Sequence, residues 1–328
     1  MKEDLFINII KDSLPESADF IGDDTAYIPK KDLILTQDTL IEDVHFRKNT
    51  ISPYYLGRKS VAVNLSDISA AGGMPSYIMI SLSMPEDIDE GFIKEFYRGV
   101  REICNEYDIF VVGGDLTKAF RLTISICAIG FGNGLTPASR KNAKDGDYVI
   151  VTGNFGSSRA GFEILEKPDI FKKKLSAKIK NRFIEAHINP TPRLKEGRNI
   201  LRITKNPALM DASDGLADAL NKICLFSNTG MVIDFKDIPY DKNLALVAEN
   251  DETLFKWVLF GGEDYELVGT VSKDGYKKLK EKKIPVKKIG KVVPAGDNPY
   301  ACIKIKDRTI KIDSEIINKE LFSHFNPA

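Results

Sequence analysis

The chain of 328 residues lacks the features that would assign it to a specialised class of protein. Its four cysteines, Cys104, Cys127, Cys224 and Cys302, form no CxxC pair and lie far apart in apolar surroundings. This spacing argues against both disulfides and zinc sites. There is no excess of either charge, because 47 Lys and Arg balance 47 Asp and Glu. Nucleic-acid-binding proteins usually carry a basic excess or patch, so that class is disfavoured.

Long apolar runs are also absent. One of the two longest uncharged runs, residues 122–139, contains Thr, Ser, Asn, Gly and Pro and cannot be a membrane span. The N-terminal stretch MKEDLFINIIKDSLPE has charges at both ends of a short apolar stripe and does not match a signal peptide. A soluble, cytoplasmic protein is expected. One basic patch exists, where nine of nineteen residues from 273 to 291 are lysine. Tyr276, Leu279 and Lys283 have helical spacing there, which favours a solvated helix face over an RNA contact.

The common phosphate-binding loops are missing as well. No GxxxxGK[ST] sequence occurs, and none of the protein-kinase signatures is present. The stretch TGNFGSSRAG follows a predicted strand, but its glycines at 153, 156 and 161 do not match GxGxxG. A tight strand-to-helix turn is therefore favoured over a dinucleotide site.

What the sequence does contain is an alternation of strand and helix patterns. Strands are predicted at DLILTQDTL, PSYIMISLSMP, RLTISICAIGFG, YVIVTG, GMVIDF and WVLFGGEDYELVGTV, and helices at GRKSVAVNLSDISAAGG, residues 88–103 and SRAGFEILEK. RLTISICAIGFG alternates strictly, which predicts one buried face and one polar or partnered face. A connection rich in Gly and Pro separates the halves. We predict an α/β fold of the α+β type with two domains, 1–137 and 138–328.

Short acidic clusters adjoin many of these elements. They are IGDDTA, TQDTLIEDVHF, NLSDISA, GGDLT, LMDASDGLAD and GGEDYE. A single Asp beside Gly or Ser is usually a turn or a helix N-cap. Several acids that converge from separate segments would repel one another unless cations neutralise them. Oxygen ligands without His or Cys suit Mg²⁺, which bridges to substrate phosphates, so the pattern favours phosphoryl transfer. Glu263, Asp264 and Glu266 are expected to face a polar ligand or metal-bound water rather than a packed core.

In this order, the motifs IGDDTA, DTLIEDVHF, VAVNLSDISAAGGMP, VVGGDLT, SDGLADAL and GGEDYEL resemble those of the thiamine-monophosphate kinases. That family lies in the ATP-binding superfamily of aminoimidazole ribonucleotide synthetase and selenophosphate synthetase. The resemblance extends from about Gly22 to Phe322. It implies a thiamine-phosphate kinase of thiamine diphosphate biosynthesis, which transfers the ATP γ-phosphate to thiamine monophosphate with several Mg²⁺ ions. It also implies a homodimer in which the N-terminal domains pair through their sheets into a barrel.

The resemblance assigns roles to individual positions. Those matching magnesium-site positions are Asp23, Thr36, Asp38, Asp67, Asp115, Asp211 and Asp214; nucleotide contacts are Gly114, Asp115, Arg140 and Ser213; substrate contacts are His45, Glu263 and Phe322. Two positions depart from the family pattern. Gln37 stands where a hydroxyl residue is common, and Asp43 replaces the usual glycine before VHF.

Other activities remain as alternatives. A Mg²⁺-dependent phosphohydrolase would also use clustered acids, but it would release phosphate and need no adenine site. A Ca²⁺-stabilised binding protein is less expected, because no DxDxDG spacing occurs. Selenophosphate synthetase would carry a reactive Cys near its N-terminus, and residues 1–103 contain none; the hydrogenase maturation factor would carry a C-terminal Cys, where this sequence reads SHFNPA.

No covalent nucleophile is predicted. None of the cysteines adjoins an acidic motif, and His187 and His324 lie outside the motifs. Each motif Asp is better used as a metal ligand, and a covalent mechanism would need an activated nucleophile. Direct in-line transfer from ATP to the acceptor phosphate is therefore expected.

Overall fold

The computed structural model describes residues 2–171, 175–296 and 299–320, which form two sheets with helices packed on them. The strands are β1 Ala26–Ile28, β2 Leu33–Ile41, β3 Met74–Met84, β4 Phe110–Lys118, β5 Thr123–Phe131, β6 Tyr148–Val151, β7 Ala208–Asp211, β8 Thr229–Asp234, β9 Leu267–Val271, β10 Lys287–Pro294, β11 Ala301–Ile305 and β12 Arg308–Ile312. The helices are α1 Lys2–Ser13, α2 Pro53–Ala71, α3 Glu90–Tyr107, α4 Ser157–Glu166, α5 Pro168–Phe171, α6 Ala177–Ile188, α7 Leu194–Thr204, α8 Leu216–Ser227, α9 Asp251–Phe260, α10 Lys273–Glu281 and α11 Ser314–Glu320. The predicted mixed α/β fold with two domains is confirmed.

The first sheet has the strand order β1-β2-β5-β3-β4, and β3 and β4 form its parallel pair. Along β5, Ile124, Ile126 and Ala128 are buried, whereas Ser125 and Cys127 lie on the half-exposed face. This is the alternation read from the sequence. Side chains of helices α2 and α3 share one core with the buried face, whereas the opposite face is uncovered, with Gln37, Thr39 and Met79 exposed.

Helix α2 is held firmly against α3. The Ser52 side chain caps its first turn, and Gly72 ends it in the left-handed conformation with φ 68°. This confirms the predicted glycine C-cap. A Cβ on Gly57 would lie 2.1 Å from the carbonyl oxygen of Phe96, and one on Gly99 would lie 1.9 Å from that of Tyr54. The two helix backbones therefore touch, which restrains the position of α2 relative to α3.

The second sheet has the order β12-β11-β8-β10-β6-β9-β7. It meets the first domain along α2, which contacts both α7 and β7. A Cβ on Gly197 of α7 would lie 2.0 Å from the carbonyl oxygen of Ser69, so these helices also touch through their backbones. Helix α2 of the first domain thus lies at the interface with the second domain, and its residues can contact both domains.

The prediction of one long strand over WVLFGGEDYELVGTV is wrong. Trp257 to Phe260 end helix α9, whose start is capped by the Asn250 side chain, and only residues 267–271 form a strand. Because Gly261 and Gly262 interrupt the apolar run, residues 261–266 form an irregular connection. The lysine-rich segment is also divided, between α10 and β10.

Two further expectations can be compared with the structure. No helix among the described residues is long and apolar enough to cross a lipid bilayer. All four cysteines are free thiols.

Candidate active site

Three carboxylates converge at the junction of the two domains. Asp24 lies just before β1, Asp67 lies on α2 and Asp211 ends β7. One oxygen atom from each lies within 4.8 Å of those of the other two, which is a spacing suited to holding a metal ion. Asp67 and Asp211 were predicted as metal ligands. The structure brings in Asp24, whereas the resemblance indicated its neighbour Asp23.

Hydroxyl groups orient these carboxylates. The Thr36 hydroxyl on β2 donates to Asp67 Oδ2 at 2.5 Å. Ser66 Oγ donates to Asp211 Oδ2 at 2.6 Å, and Ser213 Oγ donates to Asp211 Oδ1 at 3.1 Å. A carboxylate oxygen can accept more than one hydrogen bond or metal bond, so each of these oxygens can still bind a metal ion.

Asp38 belongs to the same group of charges. Its backbone N–H donates to the Asn64 side chain on α2 at 3.0 Å, which ties β2 to the helix. Burial and, to a smaller extent, the nearby charges of Asp211 and Asp214 together raise the pKa of Asp38 to about 7. Asp214 itself lies 3.4 Å from Lys222 Nζ, which also pairs with Asp218 at 2.7 Å.

The cluster has too little positive charge around it. Burial raises the pKa of Asp24 to about 7 even though Arg140 opposes that shift, and Asp211 and Asp23 reinforce it. The pKa of Asp67 is raised well above its ordinary value, first by burial and then by repulsion from Asp38, Asp211 and Asp24. Such repulsion within a buried site is relieved when cations bind.

Arg140 lies against this cluster. Its Nε donates to Asp23 Oδ1 at 3.2 Å, and its Nη2 contacts Asp24. Ser139 Oγ donates to the other oxygen of Asp23 at 2.5 Å. Asp23 is therefore engaged by Ser139 and Arg140, and its predicted role as a metal ligand stays a prediction.

The acids of GGEDYE have protein partners. Glu263 pairs with Lys59 at 3.0 Å. Asp264 accepts from the N–H groups of Gly156 and Ser158 at the start of α4, at 2.6 and 3.0 Å. The expectation that all three acids face ligand or metal water is thus wrong for Asp264, which fills the helix N-terminus that a dinucleotide phosphate would use.

It is also wrong for Glu266. This side chain is buried. It accepts hydrogen bonds from Nε and Nη2 of Arg193, at 2.7 and 2.5 Å, and from the Thr152 hydroxyl at 2.7 Å. A buried carboxylate with a bidentate arginine needs no external counter-charge. The sequence pattern missed these pairs because Arg193 and Thr152 are distant along the chain.

His45 and Glu263, two predicted substrate contacts, lie close to one another. His45 Nδ1 accepts the N–H of Ile41 at 3.0 Å, so the proton of the neutral ring is on Nε2. Burial alone would raise the pKa of Glu263, but its neighbours, above all the ammonium of Lys59, outweigh burial and lower the pKa. The third predicted contact, Phe322, lies outside the described residues.

Asp115 and Gly114 do not join the cluster within one chain. Asp115 on β4 pairs with Ser81 of β3, and β3 and β5 separate it from β2. Gly114 pairs with Ile80, and a Cβ there would lie 1.9 Å from the Ile80 carbonyl oxygen. Both positions are on the exposed edge strand.

The two departures from the family pattern have local explanations. Gln37 points to the uncovered face of the first sheet, where its Nε2 donates to Ser125 Oγ at 3.2 Å. Asp43 has φ 64°, a conformation that glycine adopts readily and that Asp tolerates. Its carboxylate lies 3.9 Å from Arg121, so a surface arginine faces the added charge.

The fold and the junction cluster define a class of protein. The chain belongs to the AIR synthase related proteins, since the model of their N-terminal domain matches residues 22–132 and that of their C-terminal domain matches residues 144–299. Within this class it is a member of the thiamine-monophosphate kinase family, as its motifs predicted.

Individual relatives support this assignment. The thiamine-monophosphate kinase of Bacillus subtilis is 37% identical over 316 residues, which are 93% of each chain. That of Buchnera aphidicola (Schizaphis graminum) is 42% identical over 262 residues, 79% of this chain and 78% of the relative. A solved structure of AaThiL complexed with AMPPCP and TMP superposes with a TM-score of 0.80 at 31% identity, covering 93% of this chain and 95% of that one.

The buried acids predict an unusual pH dependence of stability. The pKa of Asp38 is raised from 3.8 to about 7 on folding, so the folded state binds the proton more tightly. Its contribution to stability therefore falls as pH rises through that window. In EDTA, wild-type protein should lose more unfolding free energy between about pH 5 and about pH 8 than Asp38→Asn, as measured by urea titration. Equal losses in the two proteins would contradict the assignment.

Proposed function

We propose that this chain transfers the γ-phosphoryl group of ATP to thiamine monophosphate and forms thiamine diphosphate and ADP. The observation that carries the proposal is the carboxylate cluster of Asp24, Asp67 and Asp211 at the domain junction, within a member of the thiamine-monophosphate kinase family. The similar AaThiL structure holds AMPPCP and TMP, which are the kinds of ligand this reaction requires.

The donor atoms of the cluster fit Mg²⁺. They are all oxygens, Asp67 and Asp211 lie on a helix and a strand, and burial together with the repulsion among the acids raises the pKa values of Asp24 and Asp67. Asp24, Asp67 and Asp211 would hold the metal, with Asp38 and Asp214 close by. When bound, Mg²⁺ neutralises charge on the phosphates of donor and acceptor.

The protein's own side chains would align the two substrates. Arg140 would exchange Asp23 and Asp24 for nucleotide phosphate oxygens, because a guanidinium can donate two parallel hydrogen bonds to phosphate. Ser213 would contact the nucleotide from the loop after β7. His45, with its proton on Nε2, would donate to the acceptor phosphate. Glu263 would contact the thiamine moiety. The acceptor is an ionised phosphate, so it needs alignment more than deprotonation.

A second subunit would complete the site. The residues of β4 are all exposed, and they include Phe110, Val112 and Leu116, which are 61%, 55% and 66% exposed. An apolar, unpaired edge strand is a surface that another chain would cover. We propose a homodimer in which the two N-terminal sheets close into a barrel. Asp115 and Gly114 would then contact nucleotide and metal at the partner's site.

The two domains would have different roles in this reaction. Residues 1–137 would provide dimerisation and most metal ligands, and residues 138–328 would complete the site with Arg140, Asp211 and Ser213. A cytoplasmic location is supported by the four free thiols, which a reducing compartment maintains.

The product distribution tests the proposal. Purified protein with Mg²⁺, ATP and thiamine monophosphate should form thiamine diphosphate and ADP in equal amounts, quantified by ion-exchange chromatography. Release of inorganic phosphate without thiamine diphosphate would favour the phosphohydrolase instead.

The mechanism predicts inversion of configuration at phosphorus. Among the described residues, Cys104 and Cys224 are buried, and burial raises the pKa of both thiols, so neither is an activated nucleophile. A single in-line displacement inverts a chiral γ-thiophosphate, whereas two displacements through a phosphoenzyme retain it. Retention, measured by ³¹P NMR of the product, would contradict direct transfer.

A further inference from the structure

Lys59 is a buried lysine in the middle of α2. Its side chain is 1% exposed, and its ammonium lies 3.0 Å from Glu263 Oε1. A buried ammonium needs a partner, because its desolvation is costly. Glu263 belongs to the second domain, between α9 and β9, so this ion pair joins the two domains.

We propose that Lys59 is a positioning residue, which holds Glu263 ionised and oriented toward the acceptor substrate. The proposal rests on the proposed function, in which Glu263 contacts the thiamine moiety. It assigns to Lys59 an effect on the recognition of thiamine monophosphate and none on the recognition of ATP.

The backbone around Glu263 needs such a restraint. Glu263 has φ 65° and Tyr265 has φ 51°, both in the left-handed region that residues with a side chain rarely adopt. The N–H of Glu263 donates to the Ser213 carbonyl oxygen at 2.6 Å. One tether thus fixes the backbone of Glu263 and Lys59 fixes its side chain.

The second carboxylate oxygen of Glu263, Oε2, lies close to His187, which is neutral. His187 Nδ1 on α6 lies 3.3 Å from Glu263 Oε2 and 3.0 Å from Ser158 Oγ. Burial, reinforced by the charge of Lys59, lowers the pKa of His187 to about 3, so the ring is neutral at neutral pH. His45 and Tyr265 also face the carboxylate, and neither carries the fixed charge that Lys59 does. Lys59 is therefore the group that keeps Glu263 ionised.

The pair leaves part of Glu263 accessible. The Glu263 side chain is 28% exposed whereas that of Lys59 is buried, so the ligand would meet the carboxylate and not the ammonium. Because Lys59 already balances the charge, Glu263 serves as an oriented hydrogen-bond acceptor rather than as a free anion. Asp67 lies on the same helix, which links the substrate contact to the metal cluster through one rigid element.

A mutant cycle with Lys59→Met, Glu263→Gln and the double variant tests the proposal. Lys59→Met should raise the KM for thiamine monophosphate about tenfold and change the KM for ATP less than about twofold. In the Glu263→Gln background, Lys59→Met should have no further effect on either KM. Additive effects would mean that Lys59 acts on the substrate directly, and equal changes in both KM values would mean a general structural role. Either result would overturn the proposal.

The pH profile provides a second readout. Without Lys59 the half-buried carboxylate of Glu263 loses its counter-charge, and the pKa of Glu263 rises. The KM of Lys59→Met for thiamine monophosphate should therefore fall as pH increases from 6 to 9, relative to wild type, and this extra dependence should vanish in the double variant. A profile parallel to that of wild type would contradict the proposal.

Lys59→Met is replaced in this test if it does not fold. The double variant, which has neither charge, is then compared with Glu263→Gln, and the proposal requires the two proteins to have equal KM values for thiamine monophosphate.

The ion pair is also tested without ligands. Urea unfolding of the same four proteins should show coupling between Lys59 and Glu263. Glu263→Gln leaves the buried ammonium without its counter-charge, and Lys59→Met leaves the half-buried carboxylate without its own. Absence of coupling would remove the physical basis of the inference whatever the enzyme does. Failure of wild-type protein to form thiamine diphosphate would instead refute the proposed function while leaving this coupling measurable.

Discussion

Asp67→Asn is expected to lower kcat about a hundredfold or more while leaving the fold intact. Asp67 is the member of the cluster on α2, where backbone contacts with α3 and α7 prevent the helix from moving to compensate. Asparagine keeps the shape of the side chain and can still accept from Thr36, but it removes the negative charge that a cation requires. Steady-state kinetics at saturating ATP and varied Mg²⁺ measure the effect.

The same substitution should not destabilise the ligand-free protein. Burial and repulsion from Asp38, Asp211 and Asp24 raise the pKa of Asp67, so the charge opposes folding at neutral pH. In EDTA, the Tm of Asp67→Asn should equal or exceed that of wild type. Asp87→Asn, at an exposed position paired with Lys48, is the matched control and should change neither kcat nor Tm. Near-normal turnover with an unaltered Mg²⁺ dependence would exclude Asp67 from the site.

Mixing two inactive variants is expected to restore activity. Asp115 is remote from the cluster in its own chain, so we expect it to serve the partner's site, whereas Asp67 serves its own. A mixed dimer of Asp115→Asn and Asp67→Asn would then contain one intact site and one doubly altered site. Random reassociation of equal amounts should yield roughly a quarter of wild-type activity, since about half the dimers are mixed and each has one working site.

Controls separate this result from trivial recovery. Each variant denatured and refolded alone should remain inactive. The pair Asp67→Asn and Asp211→Asn should not complement, because both residues lie in one cluster of the same chain. No recovery with Asp115→Asn, together with proof of mixed dimers by mass spectrometry, would refute a contribution from the second subunit.

Much about this protein follows from local sequence. Alternating apolar residues define β5, helical spacing defines α3, and the glycine pair after Ala71 ends α2. These are short-range effects of backbone geometry and side-chain burial, so a single segment contains the information. The order of the acidic motifs indicates the family, and the resemblance to that family marks Asp67 and Asp211 as candidate metal ligands.

What an acid faces was decided by tertiary structure. Asp23 and Asp24 are adjacent in sequence, yet Asp24 joins the carboxylate cluster and Asp23 is engaged by Ser139 and Arg140. Within GGEDYE, the partners of Glu263 and Glu266 come from α2 and from Arg193, far away in the chain. The sequence by itself indicated most of the elements, though not helix α9, and showed which residues can carry charge. Only the packing of α2 against the second domain determined which charged groups lie in contact. Partners that are distant along the chain are brought together by the fold, and a local sequence pattern does not show them.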